Sequence, residues 1–188
     1  RRSARIEARS WRALKRLAAD RGITPPGLLL AAYAEVLSVW SAGAHFTLNL
    51  TLFNRLPLHE EVDRIIGDFT SVNLLEVDNS RPEPFSERAT RQKETLWQDL
   101  DHRYFSGIQV MRELAHFHGH GPRALMPVVF TSLMNLGQHG EETAWPFRLG
   151  KPVYAVTQTP QVYLDFMVQE DRGELILNWD SVDEVFPG

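Results

Sequence analysis

Apolar and polar positions follow two different periods along this chain, and the period changes from segment to segment. Residues 45–53, HFTLNLTLF, set Phe46, Leu48, Leu50 and Leu52 on one side and Thr47, Asn49, Thr51 and Phe53 on the other. A repeat of two predicts a strand, because successive side chains of extended backbone point to opposite faces. Residues 70–78, TSVNLLEVD, predict a second strand. Residues 126–134, MPVVFTSLM, predict a third, with Pro127 at its start, where a missing backbone N–H is tolerated. KPVYAVTQ (151–158), QVYLDFMVQ (161–169) and GELILNWD (173–180) complete the set, and EDRG (170–173) reads as a hairpin turn between the last two.

Helical spacing governs the rest. Trp11, Leu14, Leu17 and Ala18 recur on one face while Arg12, Lys15, Arg16 and Asp20 look away. Ser10 is the expected N-cap and Gly22 the stop. Pro25 or Pro26 suits the first turn of a second helix. That helix is apolar nearly all round from Leu28 to Trp40, which predicts a place deep in the core. Phe85, Ala89, Leu96, Leu100 and Tyr104 mark a third helical face. Ser106 caps a fourth helix, bearing Val110, Met111, Leu114 and Phe117. Segments 54–69, 79–84 and 136–150 read as irregular, with Asp68 shaping a turn. No repeat or linker interrupts residues 1–188, which are therefore one domain. The order is helix, helix, strand, strand, helix, helix, then four strands. It predicts an α/β (α+β) layered fold with helices packed on a mixed sheet.

Composition narrows the function. At 188 residues and 43% hydrophobic, the chain can bury a real core. A net charge of -4, with both signs interspersed, offers no broad basic field for nucleic acid and no polybasic patch for a membrane. The longest apolar stretch, 25–40, contains Glu35 and Ser38 and is too short to span a bilayer. The opening RRSARIEARSW lacks a signal core, so a cytoplasmic protein is expected. The absence of cysteine excludes disulfides, thiolate metal sites and a cysteine nucleophile. The closing VDEVFPG (182–188) reads as a helix beginning, with Ser181 or Asp183 as cap, which suggests a piece of a longer polypeptide.

No GxSxG, GxxxxGK[ST] or HExxH motif is present. HGHGPR (118–123) follows a helix rather than a strand, which argues against a phosphate cradle. His116, His118 and His120 alternate at a helix end. Helical metal ligands need a spacing of three or four, so an exposed helix terminus is the expected reading.

Four polar residues stand inside apolar strands: Asn49, Thr131, Ser132 and Asp165. Period two places Tyr163 and Asp165 on one face, with Val162, Leu164 and Phe166 on the other. If the polar face lines a cleft, Asp165 is partly desolvated and its pKa rises, so it can exchange protons near neutral pH. Thr131 could hydrogen-bond it or a substrate oxygen. Alternatively, Asp165 is an acid satisfied by a backbone or Arg partner, and the pattern leaves both readings open. Asn49 alone is ordinary for an outward strand face.

Three blocks, in order, are NLTLFNRLPLHEEVDRIIGDFTSVNLL (49–75), PVVFTS (127–132) and TQTPQVYLD (157–165). Together they resemble the heterocyclization domains of nonribosomal peptide synthetases, a branch of the condensation-domain family. The resemblance runs from the first helix to the final NWDSVDEVFPG. It implies a fold of two chloramphenicol-acetyltransferase-like halves facing across a tunnel, of which this chain matches the C-terminal half. The N-terminal half would carry DxxxxD, or HHxxxDG in ordinary condensation domains, and neither motif is readable here.

The implied activity joins a carrier-bound acyl or aminoacyl thioester to a cysteinyl, seryl or threonyl thioester. Cyclodehydration to a thiazoline or oxazoline follows. In that family the Thr and Asp of the second and third blocks are tied to cyclodehydration, and they match Thr131 and Asp165. The substrate tunnel would be lined by Asn49, Ser132, Gln158, Gln161 and Tyr163, the last a conservative occupant of a variable aromatic position. No cofactor is implied for the domain itself, since phosphopantetheine belongs to partner carrier proteins. The implied partners are upstream and downstream peptidyl or aryl carrier domains, the domain's own N-terminal half and an adjacent adenylation domain. Two other roles fit the same residues: a non-catalytic fragment giving tunnel wall and carrier docking, or an ordinary amide-forming condensation domain.

Overall fold

All the strands described join one sheet. The computed structural model describes residues 1–119, 126–134 and 159–186, the side chain of Asp63 excepted. The elements are β1 (Arg2–Ile6), α1 (Ala8–Ala19), α2 (Pro25–Trp40), β2 (His45–Phe53), β3 (Thr70–Asp78), α3 (Phe85–Asp101), α4 (Gly107–His118), β4 (Val128–Ser132), β5 (Leu164–Asp171) and β6 (Glu174–Ser181). The six strands lie in the order β1-β6-β5-β4-β2-β3. The central pairs β2–β4 and β4–β5 are parallel, and the outer pairs are antiparallel. This is the mixed sheet with packed helices that the element order predicts. The strand expected at 151–158 and the loop at 136–150 lie outside the described residues.

One face of the sheet makes the core. Leu48, Leu50, Leu75, Val77, Phe130, Phe166, Val168 and Leu175 are buried there against Trp11 of α1 and Leu29, Leu30, Tyr33 and Ala34 of α2. The Trp11 indole N–H donates to Glu170 Oε2 at 2.8 Å, so a fully buried ring keeps its polar atom satisfied. Phe166 is the hub of an aromatic group. Its ring lies 4.8 Å from Trp179, stacked, and 4.7 Å from Tyr33, tilted.

Several boundaries follow from single residues. Thr24 caps α2 by accepting from the Gly27 N–H at 3.2 Å, with Pro25 in the first turn. Ser106 and Gln109 form a capping box at α4. Gly107 sits so close to β3 that a Cβ there would meet Val72 O and Leu74 Cγ at 3.1 Å. The β5–β6 hairpin turns on Arg172 and Gly173 alone, both at positive φ, where EDRG predicts it. Asp68 Oδ1 accepts from the Thr70 N–H at 2.8 Å, the turn expected at that position.

Four expectations are corrected. The pattern misses β1, because RSARI is a mostly exposed edge strand with little to bury. Helix α1 starts at Ala8, not after Ser10; the Ser10 hydroxyl donates to Glu7 Oε1 at 3.2 Å instead of capping. Helix α2 is not deep throughout. It is about 24 Å long at 1.5 Å per residue, and its last turn leaves the core, with Val39 and Trp40 80% and 85% exposed. β5 begins at Leu164 rather than Gln161, because Gln161 takes a left-handed φ of 68°.

Leu75 is completely buried, whereas Leu58 is 81% exposed. Leu75→Ala should therefore destabilise the intact protein by about 2–5 kcal/mol. Leu58→Ala should stay within about 0.5 kcal/mol. Urea midpoints at constant slope check both, and equal losses would refute the placement of the core.

Candidate active site

The face opposite the core carries two polar rows that run across the strands. One row, by pairing register, is Leu74, Asn49, Val129, Asp165 and Asp180. The next is Val72, Thr51, Thr131, Met167, Asn178 and Ser3. Period two forces this arrangement: each member alternates along its strand with a core residue such as Leu50, Phe130 or Phe166.

Thr131 joins the rows. Its hydroxyl donates to Asp165 Oδ1 at 3.2 Å and lies 2.9 Å from Thr51 Oγ1. Thr131 is buried and Asp165 is half-buried. On the far side, Arg1 grips Asp180 bidentately, Nε to Oδ1 at 2.7 Å and Nη2 to Oδ2 at 2.6 Å. The Ser3 hydroxyl donates to Asn178 Oδ1 at 2.7 Å in the neighbouring row.

Burial dominates the titration of Asp165 and raises its pKa above the usual aspartate value. The Thr131 hydroxyl favours the ionised form and opposes that rise. The negative charge of Asp180 adds to it, and the positive charge of Arg1 subtracts. The result is a carboxyl group that holds its proton to higher pH than a surface aspartate. Such a group, bonded to a hydroxyl, can take and return protons. Between the two readings of Asp165, the arginine bonds go to Asp180, while Asp165 is hydrogen-bonded by Thr131.

The other site residues scatter. Asn49 shares the Asp165 row two strands away, buried, with Oδ1 accepting no hydrogen bond among the described residues. Ser132 is a correction. It is in register with the core residue Val168 and so takes the face of Phe130, away from Thr131. Gln161 is exposed, and Tyr163, 40% exposed, lies on the entry to β5 rather than on the strand. The Tyr163 N–H donates to Pro127 O at 2.8 Å, which ties the β5 entry to the start of β4. Gln158 and His120 lie outside the described residues. His116 and His118 stand in the last turn of α4. Among the described residues no group of three or more His, Asp or Glu is placed to hold a metal ion. No described helix is long and apolar enough to cross a membrane.

Comparison with known proteins places this architecture. The sequence profile of the Condensation domain matches residues 1–186. The chain belongs to the condensation-domain family. Pyochelin synthetase PchF of Pseudomonas aeruginosa is 42% identical over 188 residues, 98% of this chain and 10% of that protein. Phenyloxazoline synthase MbtB of Mycobacterium tuberculosis is 42% identical over 170 residues, 89% of this chain and 12% of that protein. The chain thus spans about a tenth of the length of these curated relatives. Among solved structures, the cyclization-docking bidomain of the synthetase EpoB from Sorangium cellulosum superposes with a TM-score of 0.83 at 46% identity, covering 97% of this chain and 36% of that one. The mixed sheet with its packed helices is the chloramphenicol-acetyltransferase-like fold of condensation domains.

Within this condensation-domain sheet, two contributors escape sequence reading. Thr51 is one residue among several on a polar strand face, and only the β2–β4 pairing brings it to Thr131. Asp180 lies at the end of GELILNWD, and only the hairpin register sets it opposite Asp165. The charge of Asp180 makes a prediction. Asp180→Asn removes a like charge facing Asp165, and the sign is downward: the Asp165 pKa should fall. A carboxyl-carbon NMR titration of both proteins checks this, and an unchanged or higher value refutes the coupling.

Proposed function

We propose that this chain supplies the C-terminal half of a heterocyclization domain in a nonribosomal peptide synthetase, with Thr131 and Asp165 carrying cyclodehydration. The observation that carries the reading is the Thr131–Asp165 hydrogen bond on the non-core face of the sheet. Those two residues are the ones that the resemblance ties to ring closure. Two of the relatives support it: one is a phenyloxazoline synthase, and another is a cyclization-docking bidomain.

The chemistry follows in two stages. First the amine of a cysteinyl, seryl or threonyl thioester attacks the upstream thioester carbonyl. An amide forms and the upstream carrier thiol departs. Next the side-chain thiol or hydroxyl attacks the amide carbon, and its proton passes to Asp165. Asp165 hands that proton to the former amide oxygen, which becomes a hydroxyl, then takes the proton from nitrogen and delivers it to this hydroxyl, which leaves as water as the C=N bond forms. One carboxyl of raised pKa serves both transfers in sequence. Thr131 orients that carboxyl. The apolar neighbours of Asp165, Val129 in the same row and Phe166 beneath, limit water where water must be lost.

The partners in this reading are carrier domains, which deliver both substrates on phosphopantetheine. The domain's own N-terminal half closes the tunnel, and an adenylation domain loads the downstream carrier. The domain holds no cofactor of its own. Asn49 and Tyr163 belong to the tunnel wall, whereas Ser132 does not.

Asp165→Ala in the full-length protein, supplied with loaded carrier proteins, tests the reading by intact mass spectrometry. The expected outcome is accumulation of the linear amide with loss of the product lighter by one water, a drop of about 10²-fold or more in ring formation. Ring formation at the wild-type rate would assign Asp165 a structural role and overturn the proposal.

A further inference from the structure

The hydroxyl chain extends one residue beyond the pair that the resemblance names. Thr51 Oγ1 lies 2.9 Å from Thr131 Oγ1, and Thr131 donates to Asp165 Oδ1. A threonine hydroxyl has one proton. If Thr131 spends its proton on Asp165, Thr51 must be the donor in the Thr51–Thr131 bond. We propose that Thr51 is a positioning residue for cyclodehydration, its hydroxyl holding the Thr131 proton on Asp165 Oδ1 and so leaving Oδ2 as the oxygen that exchanges a proton with substrate. The inference rests on the cyclodehydration role of Asp165.

Three observations carry it. The three residues sit on neighbouring strands, β2, β4 and β5, with Thr51 and Thr131 directly paired in parallel register. Thr131 is buried at 8% exposure, so its hydroxyl has little access to water as an alternative donor. Asp165 Oδ2 accepts no hydrogen bond among the described residues, which keeps one carboxyl oxygen available.

The electronic effect has a definite sign. A hydroxyl that accepts one hydrogen bond becomes a stronger donor in the next. Thr51 therefore strengthens the bond from Thr131 to ionised Asp165. Without Thr51, the Thr131 proton is no longer oriented, and protonated Asp165 can donate from Oδ1 to Thr131 instead. Loss of Thr51 should favour the protonated acid. The charged and titratable groups around Asp165 are Asp180 on β6, Arg1 beside it and Tyr33 on α2. None of these changes when Thr51 is replaced, so a shifted pH profile reports the hydroxyl chain.

The test compares Thr51→Val, Thr51→Ser and Asp165→Ala in the full-length protein with loaded carrier proteins. It follows ring and linear amide by intact mass across pH. Thr51→Val keeps the branched shape and removes the hydroxyl. It should slow ring formation about five- to tenfold, the equivalent of one lost neutral hydrogen bond, raise the proportion of linear amide and move the profile for ring formation to higher pH. Thr51→Ser should return the rate to within about twofold of wild type, since one hydrogen bond is restored. If Thr51→Val does not fold, Thr51→Cys, whose thiol is a weak donor, should show the same slowing and the same shift. A wild-type rate and profile in these variants, with Asp165→Ala inactive in ring closure, overturns the role of Thr51 alone. Ring formation that survives Asp165→Ala overturns the underlying reading and this inference together.

Discussion

Moving a carboxylate out of water and onto a half-buried sheet face costs free energy unless hydrogen bonds answer its lone pairs. Asp165 meets that constraint with the Thr131 hydroxyl, and the compensation is incomplete: desolvation still outweighs it, and the pKa stays raised. The geometry around the pair serves this balance. Arg1 binds Asp180 with two short bonds, so the strongest local cation is engaged with the other acid. Had the guanidinium chelated Asp165, a strong ion pair would hold its proton affinity down. The spatial order Arg1, Asp180, Asp165, Thr131 thus separates a structural carboxylate from one able to hold a proton.

The core sets this arrangement from below. Phe166, next to Asp165 in sequence, is buried between Tyr33 and Trp179. A strand whose Phe166 points into that aromatic group must turn Asp165 to the other face. A slip of one residue would bury the acid among rings and expose Phe166, which the packing forbids. Packing on one side of β5 therefore determines which side chains stand on the other. The short central strand β4 does the same for Thr131, whose neighbour Phe130 is buried in the core.

Much of this was legible in the residues. β2 and β3 have the limits that their alternation predicts, because each has one face to bury and one to expose. Asp165 and Thr131 stood out as polar residues in apolar strands, and the structure brings them to 3.2 Å. The failures have separate causes. β1 is an edge strand with four exposed residues, so hydrophobic periodicity has nothing to report. Ser132 follows Thr131 in the PVVFTS block, and neighbours along a strand face opposite ways, so the two do not share a face. Thr51 and Asp180 were invisible because their roles depend on which strands pair and in what register. Residues 51 and 131 are brought together by a parallel pairing across 80 positions, and no local pattern encodes that.

That dependence on long-range pairing also constrains how the three side chains can stand. Thr51, Thr131 and Asp165 sit on three adjacent, hydrogen-bonded strands, and each is flanked by residues packed on the core side. A threonine on a strand has few χ1 rotamers, since its branched Cβ crowds the backbone. Two such residues in register can aim their hydroxyls with little entropy left to lose. A carboxylate positioned this way needs little reorganisation when a proton arrives, which is the condition for effective proton transfer in a partly dry site. Side chains on sheet elements are held more precisely than the same side chains on loops. The sheet register is therefore what fixes where the Thr131 hydroxyl and the Asp165 carboxyl stand.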